Sequence, residues 1–139
     1  MTISYATTPA NARLVAEFTA AVAGQSVDGG AGVGQLVIGT GSLTTGSLAS
    51  NAANVLATIA LQKPSVSIAS KVATLLGVPL SATASATGTA SLANLYDSAG
   101  NFISGGYTVG TSGTNIVIGS TTINSGNTVQ VTAGTWTHP

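Results

Sequence analysis

The sequence predicts a mainly β protein, an antiparallel β-sandwich or barrel-like domain with one short N-terminal α-helix. Two observations predict it. From Gln25 onward Gly, Ser, Thr and Val dominate, and short β-branched runs alternate with turn-forming clusters. Before that point lies a single run with helical spacing.

The helix is read over residues 8–24, "TPANARLVAEFTAAVAG". Thr8 suits the cap, Pro9 suits the first helical position, and Gly24 can end the helix in the left-handed conformation. Leu14, Phe18, Ala21 and Val22 recur at i, i+4, i+7 and i+8 and form the face that docks on a core. Arg13 and Glu17 lie one turn apart beside that face.

Residues 25–53 read as a Gly/Ser-rich loop and first strand region, and residues 54–139 as the β-sandwich body of a single domain, 1–139. Strands are expected at 34–39, 54–61, 71–76, 88–96, 102–109, 114–119 and 127–136. The clusters "DGGAGVG", "GTGSLTTGSLASN", "SAGN", "GTSG" and "NSGN" separate them with residues that tolerate turn geometry. In the last strand Val129 and Val131 alternate with Thr128, Gln130 and Thr132, the pattern of a strand with one face in the core.

Charged residues make up 4% of the 139, and three cations (Arg13, Lys63, Lys71) balance three acids (Glu17, Asp28, Asp97). An ordinary domain carries roughly 25% charged residues, so this surface must be Thr, Ser, Asn, Gly and Ala. Zero net charge favours association over dispersion. Three scattered cations make no phosphate-binding footprint, so neither nucleic acid nor membrane is an expected partner. The chain has no cysteine, so packing and hydrogen bonds must hold it without disulfides. "AVAG" at 21–24 resembles a small-residue cleavage site, but Glu17 interrupts the apolar stretch before it, and no run reaches the length of a spanning helix. A soluble chain that is not exported by the usual route is expected.

The inventory is poor for an enzyme. The single histidine, His138, is next to last, and with three acids a buried acid/base pair is hard to assemble. "GTSGT" around Ser112 lacks the spacing of a nucleophile elbow, and the glycines at 30, 32 and 34 lack that of a dinucleotide loop. No catalytic residue, cofactor or metal site is expected.

Asp97 is read as structural. It sits in "LYDSAGNFI", where Asp97 can accept from following backbone amides, Gly100 can take positive φ, and Asn101 opens the next strand. On that reading Asp97→Asn leaves any function intact at little cost in stability. Aromatic residues are 4% of the chain, so each counts for packing or contact. Ile3, Tyr5, Tyr107, Trp136 and His138 are the candidate interface residues, most of them at the chain ends, where docking on neighbours is common.

The segments "NARL" (11–14), "NVLATIALQKP" (54–64), "ATGTASLANLYDSAGN" (86–101) and "VGTSGTNIVIGSTTINSGNTVQVT" (109–132), in that order, resemble short β-rich structural proteins of tailed bacteriophages. The chain departs from that type in its Gly-rich region after the helix and in Leu92, where a bulky aromatic is common. The resemblance implies a virion component made in the host cytoplasm, of the capsid decoration or cement type. It implies two partners: the major capsid protein, and further copies of the chain as a dimer or trimer on the shell. Alternatives are a minor tail or fibre-associated protein and a carbohydrate-binding or adhesive β-sandwich in which Trp136 or Tyr107 stacks on sugar rings.

Overall fold

A computed structural model describes residues 7–19 and 26–137. Helix α1, Thr7–Phe18, is followed by eleven strands: β1 Gln35–Gly39, β2 Val55–Ala60, β3 Val66–Ala69, β4 Val72–Leu75, β5 Leu80–Thr83, β6 Gly88–Thr89, β7 Leu92–Tyr96, β8 Phe102–Gly110, β9 Ile116–Ile118, β10 Thr122–Ile123 and β11 Thr128–Thr137. The fold is mainly β with one short helix, as the composition and patterning predict. No described helix is long and apolar enough to cross a membrane.

The helix differs from its expected span. It ends at Phe18 because the chain itself returns to its last turn. Val27 N–H donates to Glu17 O (3.0 Å) and Asp28 N–H to Phe18 O (2.8 Å), satisfying carbonyls that a helix end otherwise leaves open. Ala21, Val22 and the expected stop at Gly24 lie outside the described residues. Leu14 and Phe18 are buried as the spacing requires.

Nine strands form one sheet in the order β2-β1-β7-β8-β9-β11-β4-β3, with β5 also paired to β11; β6 and β10 form a small separate sheet. Pairing is antiparallel apart from β8 and β9, which run parallel through Val109↔Ile116 and Gly110↔Val117. The sheet curls on itself: Ser85, just past β5, donates its N–H to Leu56 O on the outer strand β2 (2.8 Å). Inside the curl Leu36, Ile38, Ile59, Leu95, Ile116, Ile118 and Val131 are fully buried or nearly so. Helix α1 packs over β3 and β4, with Phe18 against the Trp136 ring at a centroid distance of 4.9 Å.

Three strands escape the sequence reading, and one expected strand is divided. Strand β3 turns into β4 through Ser70 and Lys71, both at positive φ (51° and 68°), a hairpin geometry normally announced by Gly or Asn. Strand β5 follows Pro79, and β10 is two residues long. The expected run 88–96 breaks at Ala90 and Ser91, whose amides leave the strand direction for Thr121 O and Gly39 O.

Candidate functional site

The Asp97 carboxylate is folded into its own hairpin. Its Oδ1 accepts from Ala99 N–H (3.0 Å) and Asn101 N–H (2.9 Å), and its Oδ2 accepts from Asn101 Nδ2 (2.9 Å). Gly100 supplies the positive φ, 85°, that closes the turn. The carboxylate is 1% exposed, more deeply placed than a surface turn requires. Around it the Asp97 carbonyl accepts from Gln35 Nε2 (3.1 Å) and Ser98 Oγ from Gly32 N–H (3.2 Å), so the hairpin also anchors the Gly-rich segment before β1.

Tyr107 and Trp136, offered by the sequence as contact residues, face the inside of this chain. Trp136 is 4% exposed and stands between Phe18 and Tyr107, whose ring meets it edge-on at 5.8 Å. The alternation of β11 turns its side chain to the core, so no ring face remains for a sugar. The Tyr107 hydroxyl donates to Glu17 Oε1 (2.7 Å) and also lies 2.8 Å from Ser104 Oγ, which itself donates to the same carboxylate oxygen (2.6 Å). Burial, chiefly, and the Glu17 charge push the Tyr107 phenol well above its ordinary range, against a smaller downward pull from Ser104. Glu17 thus latches the helix to β8. Ile3, Tyr5 and His138 lie outside the described residues.

Other rare charges are also spent on the fold. Asp28, buried, accepts Ser65 N–H at Oδ2 (2.9 Å) and ties the turn after α1 to the start of β3. Lys63 Nζ donates to Gly30 O (2.6 Å) and Gly32 O (3.4 Å). Among the described residues no group of three or more His, Cys, Asp or Glu could hold a metal ion.

A polar lock on the outer sheet face went unread in the sequence. Asn51, fully buried, accepts Thr44 N–H (2.9 Å) at Oδ1 and donates from Nδ2 to Thr44 O (2.9 Å), Gly46 O (3.2 Å) and Tyr96 Oη (3.0 Å). Asn94 Nδ2 donates to the same Thr44 O (2.9 Å), and the Tyr96 hydroxyl donates to Gly46 O (3.0 Å). These bonds press Leu43 and Leu48 onto Val37, Val55, Tyr96 and Phe102, a second apolar cluster outside the main core. The Gly/Ser-rich loop is therefore ordered by Asn51 within it and by Asn94 and Tyr96, more than 40 residues away in sequence. Asn94 and Tyr96, two apart in a strand-like run and so on one face of it, were the available signal.

Two grooves carry no charged side chain. One, about 430 Å³, lies between the β9–β10 connection and the start of β11 and is lined by Ile118, Ser120, Thr122, Ile123, Asn127 and Gln130 among others. The other, about 460 Å³, lies between Leu48–Ala49 and the Asp97 hairpin. Comparison with protein-family models, curated proteins and solved structures finds no match to this chain.

Proposed function

We propose that this chain is a non-enzymatic structural protein of a tailed-bacteriophage virion, seated on the outside of the capsid as a decoration or cement protein. Its partners on this reading are the major capsid protein and further copies of itself. The observation that carries the reading is the fate of the ionisable groups. Glu17, Asp28, Asp97 and Lys63 are committed to holding their own fold, and the exposed strand positions are uncharged, many of them hydroxyls such as Thr74, Thr128, Thr135 and Ser81. The ordered resemblance of segments 11–14, 54–64, 86–101 and 109–132 to phage structural proteins points the same way.

The mechanism is mechanical. Many copies bridge adjacent capsomers, so separating two shell subunits also requires breaking the bridges, and the effect accumulates through copy number rather than through one strong contact. With so few charges, attachment rests on apolar burial and neutral hydrogen bonds. It should persist almost unchanged between about 0.05 and about 1 M salt. The buried position of Trp136 leaves the sugar-stacking alternative without its best ring.

Quantitative mass spectrometry of purified particles, with the major shell protein as internal reference, tests the reading. Copies on the order of hundreds per particle support a shell seat. A handful of copies would transfer the chain to the tail. Absence from particles, or release by moderate salt, would overturn the proposal.

A further inference from the structure

The two arms joined by the 124–127 turn stand apart around a groove. Strand β9 leaves β11 at Ile118↔Val131, and the arms rejoin where Asn127 N–H donates to Asn124 O (3.0 Å). Between those closures one wall is the segment 119–123 and the other is Thr128–Gln130. Thr128, Val129 and Gln130 pair with Thr83, Ala82 and Ser81 of β5 and with no other strand. No residue of β5 lines the groove, so the β11 edge that faces it has no strand partner. Backbone N–H and C=O groups alternate sides along a strand, and those on this edge are open to a ligand. On the opposite wall Ser120 Oγ accepts Thr122 N–H (3.2 Å) and donates to Thr122 O (3.3 Å).

The volume, about 430 Å³, falls within the roughly 300–1,000 Å³ of small-molecule sites. The floor is aliphatic, since Ile118, Ile123 and Val129 are buried. The rim carries Thr122, Asn127, Thr128 and Gln130, exposed residues whose hydroxyls and amides bond no other described residue. Each amide side chain offers two donors and an acceptor, and each hydroxyl offers both kinds. An ion held here would be desolvated without a counter-charge. A flat aromatic solute would have no ring to stack on, because no aromatic side chain lines the groove. An apolar solute would leave the β11 edge and the amides unpaired. An extended peptide laid along Thr128–Gln130 runs into the Ile118↔Val131 closure at one end and the turn at the other. A compact ring bearing adjacent hydroxyls meets every condition: its C–H face covers the aliphatic floor, and each hydroxyl both donates and accepts.

We propose that this groove binds one neutral sugar residue, such as the terminal hexose of a glycan. The Asn127 and Gln130 amides and the open edge of β11 bond the ring hydroxyls, and Ile118, Ile123 and Val129 meet the carbon face. With no stacking ring, affinity for a single residue is weak, with a dissociation constant on the order of 1 mM. The site shares no residue with the buried Trp136–Tyr107 pair. On the functional reading above, many copies on one particle would add such weak sites through multivalency. A particle copy count tests that reading and sugar titration of the isolated chain tests this groove, so either can fail alone.

The test is proton–nitrogen correlation NMR of the full chain, titrated to about 50 mM with methyl glucoside, methyl galactoside, methyl mannoside and N-acetylglucosamine, and with glucuronate and glycerol as controls. At least one neutral sugar should give saturable shifts at the amides of 119–123 and 127–130, with a midpoint on the order of 1 mM. Glucuronate and glycerol should bind about fivefold more weakly or not at all. Asn127→Ala and Gln130→Ala should each raise the midpoint about fivefold or more, whereas Thr135→Ala, an exposed hydroxyl of β11 outside the groove, should leave it unchanged. Both groove residues are exposed and their side chains bond no other described residue, so the variants keep the fold. No saturable shift at these amides with any of the neutral sugars, equal shifts with glycerol, or a midpoint unmoved in both groove variants would overturn the proposal.

Discussion

Replacing Asn51 with alanine should release the loop between β1 and β2 without unfolding the sheet. The side chain is fully buried and makes bonds of 2.9 Å to both Thr44 N–H and Thr44 O, 3.0 Å to Tyr96 Oη and 3.2 Å to Gly46 O. Oδ1 accepts from both Thr44 N–H and Thr44 Oγ1, and the two Nδ2 protons are shared among the three acceptors, so at about 1 kcal/mol net for each of the four protons engaged the gross loss is roughly 4 kcal/mol. Water regained by Thr44 in the opened loop, and the surviving Asn94 and Tyr96 bonds to Thr44 O and Gly46 O, bring the expected loss to about 2–3 kcal/mol. Native-state hydrogen exchange reads this directly. The Thr44 amide should exchange roughly 30- to 100-fold faster, while amides of β7 and β11 follow only the smaller change in global stability. Asn51→Asp should be worse than alanine, because it keeps the acceptor, removes the donor and places a charge among carbonyls. A Thr44 exchange rate altered less than about threefold, or an aspartate variant as stable as wild type, would refute the lock.

Two further outcomes follow from the geometry. Asp97→Asn should lower stability in urea by about 1–2 kcal/mol, not the small amount expected of a surface turn, because the carboxylate is 1% exposed and its Oδ2 would become a donor facing Asn101 Nδ2. An unchanged urea midpoint would contradict that. Tyr107 keeps its proton in the folded chain to higher pH than in the unfolded one, so its contribution is complete below pH ~10 and declines above it as the unfolded phenol ionises. The decline is at most ~1.4 kcal/mol per pH unit, less the screening at the exposed part of the ring. Urea titrations between pH 9 and 12 should show a shallower fall for Tyr107→Phe, and parallel curves would rule the linkage out.

The sequence by itself determined what depends on neighbours along the chain. The helix face of Leu14 and Phe18, the alternation of Val129 and Val131, and the Asp97–Gly100 turn are set by local spacing and local hydrogen bonds, so periodicity reveals them. Of the charged side chains, Asp97 is legible because its partners are its own turn, whereas the partners of Glu17, Asp28 and Lys63 lie far along the chain. Glu17 meets Tyr107 from 90 positions away and Asp28 meets Ser65 from 37. Tertiary structure alone decided that Trp136 lies between Phe18 and Tyr107 and that β8 and β9 run parallel. It also decided that the helix ends where Val27 and Asp28 return to cap it. The Ser70–Lys71 hairpin is held in a geometry its residues do not favour because β3 and β4 pair through Ala69↔Val72, and Asn11 Oδ1 accepts the Lys71 N–H (2.8 Å). Strand order is likewise a property of the packed sheet, since pairing energy depends on which distant strands meet and local pattern carries no record of that choice.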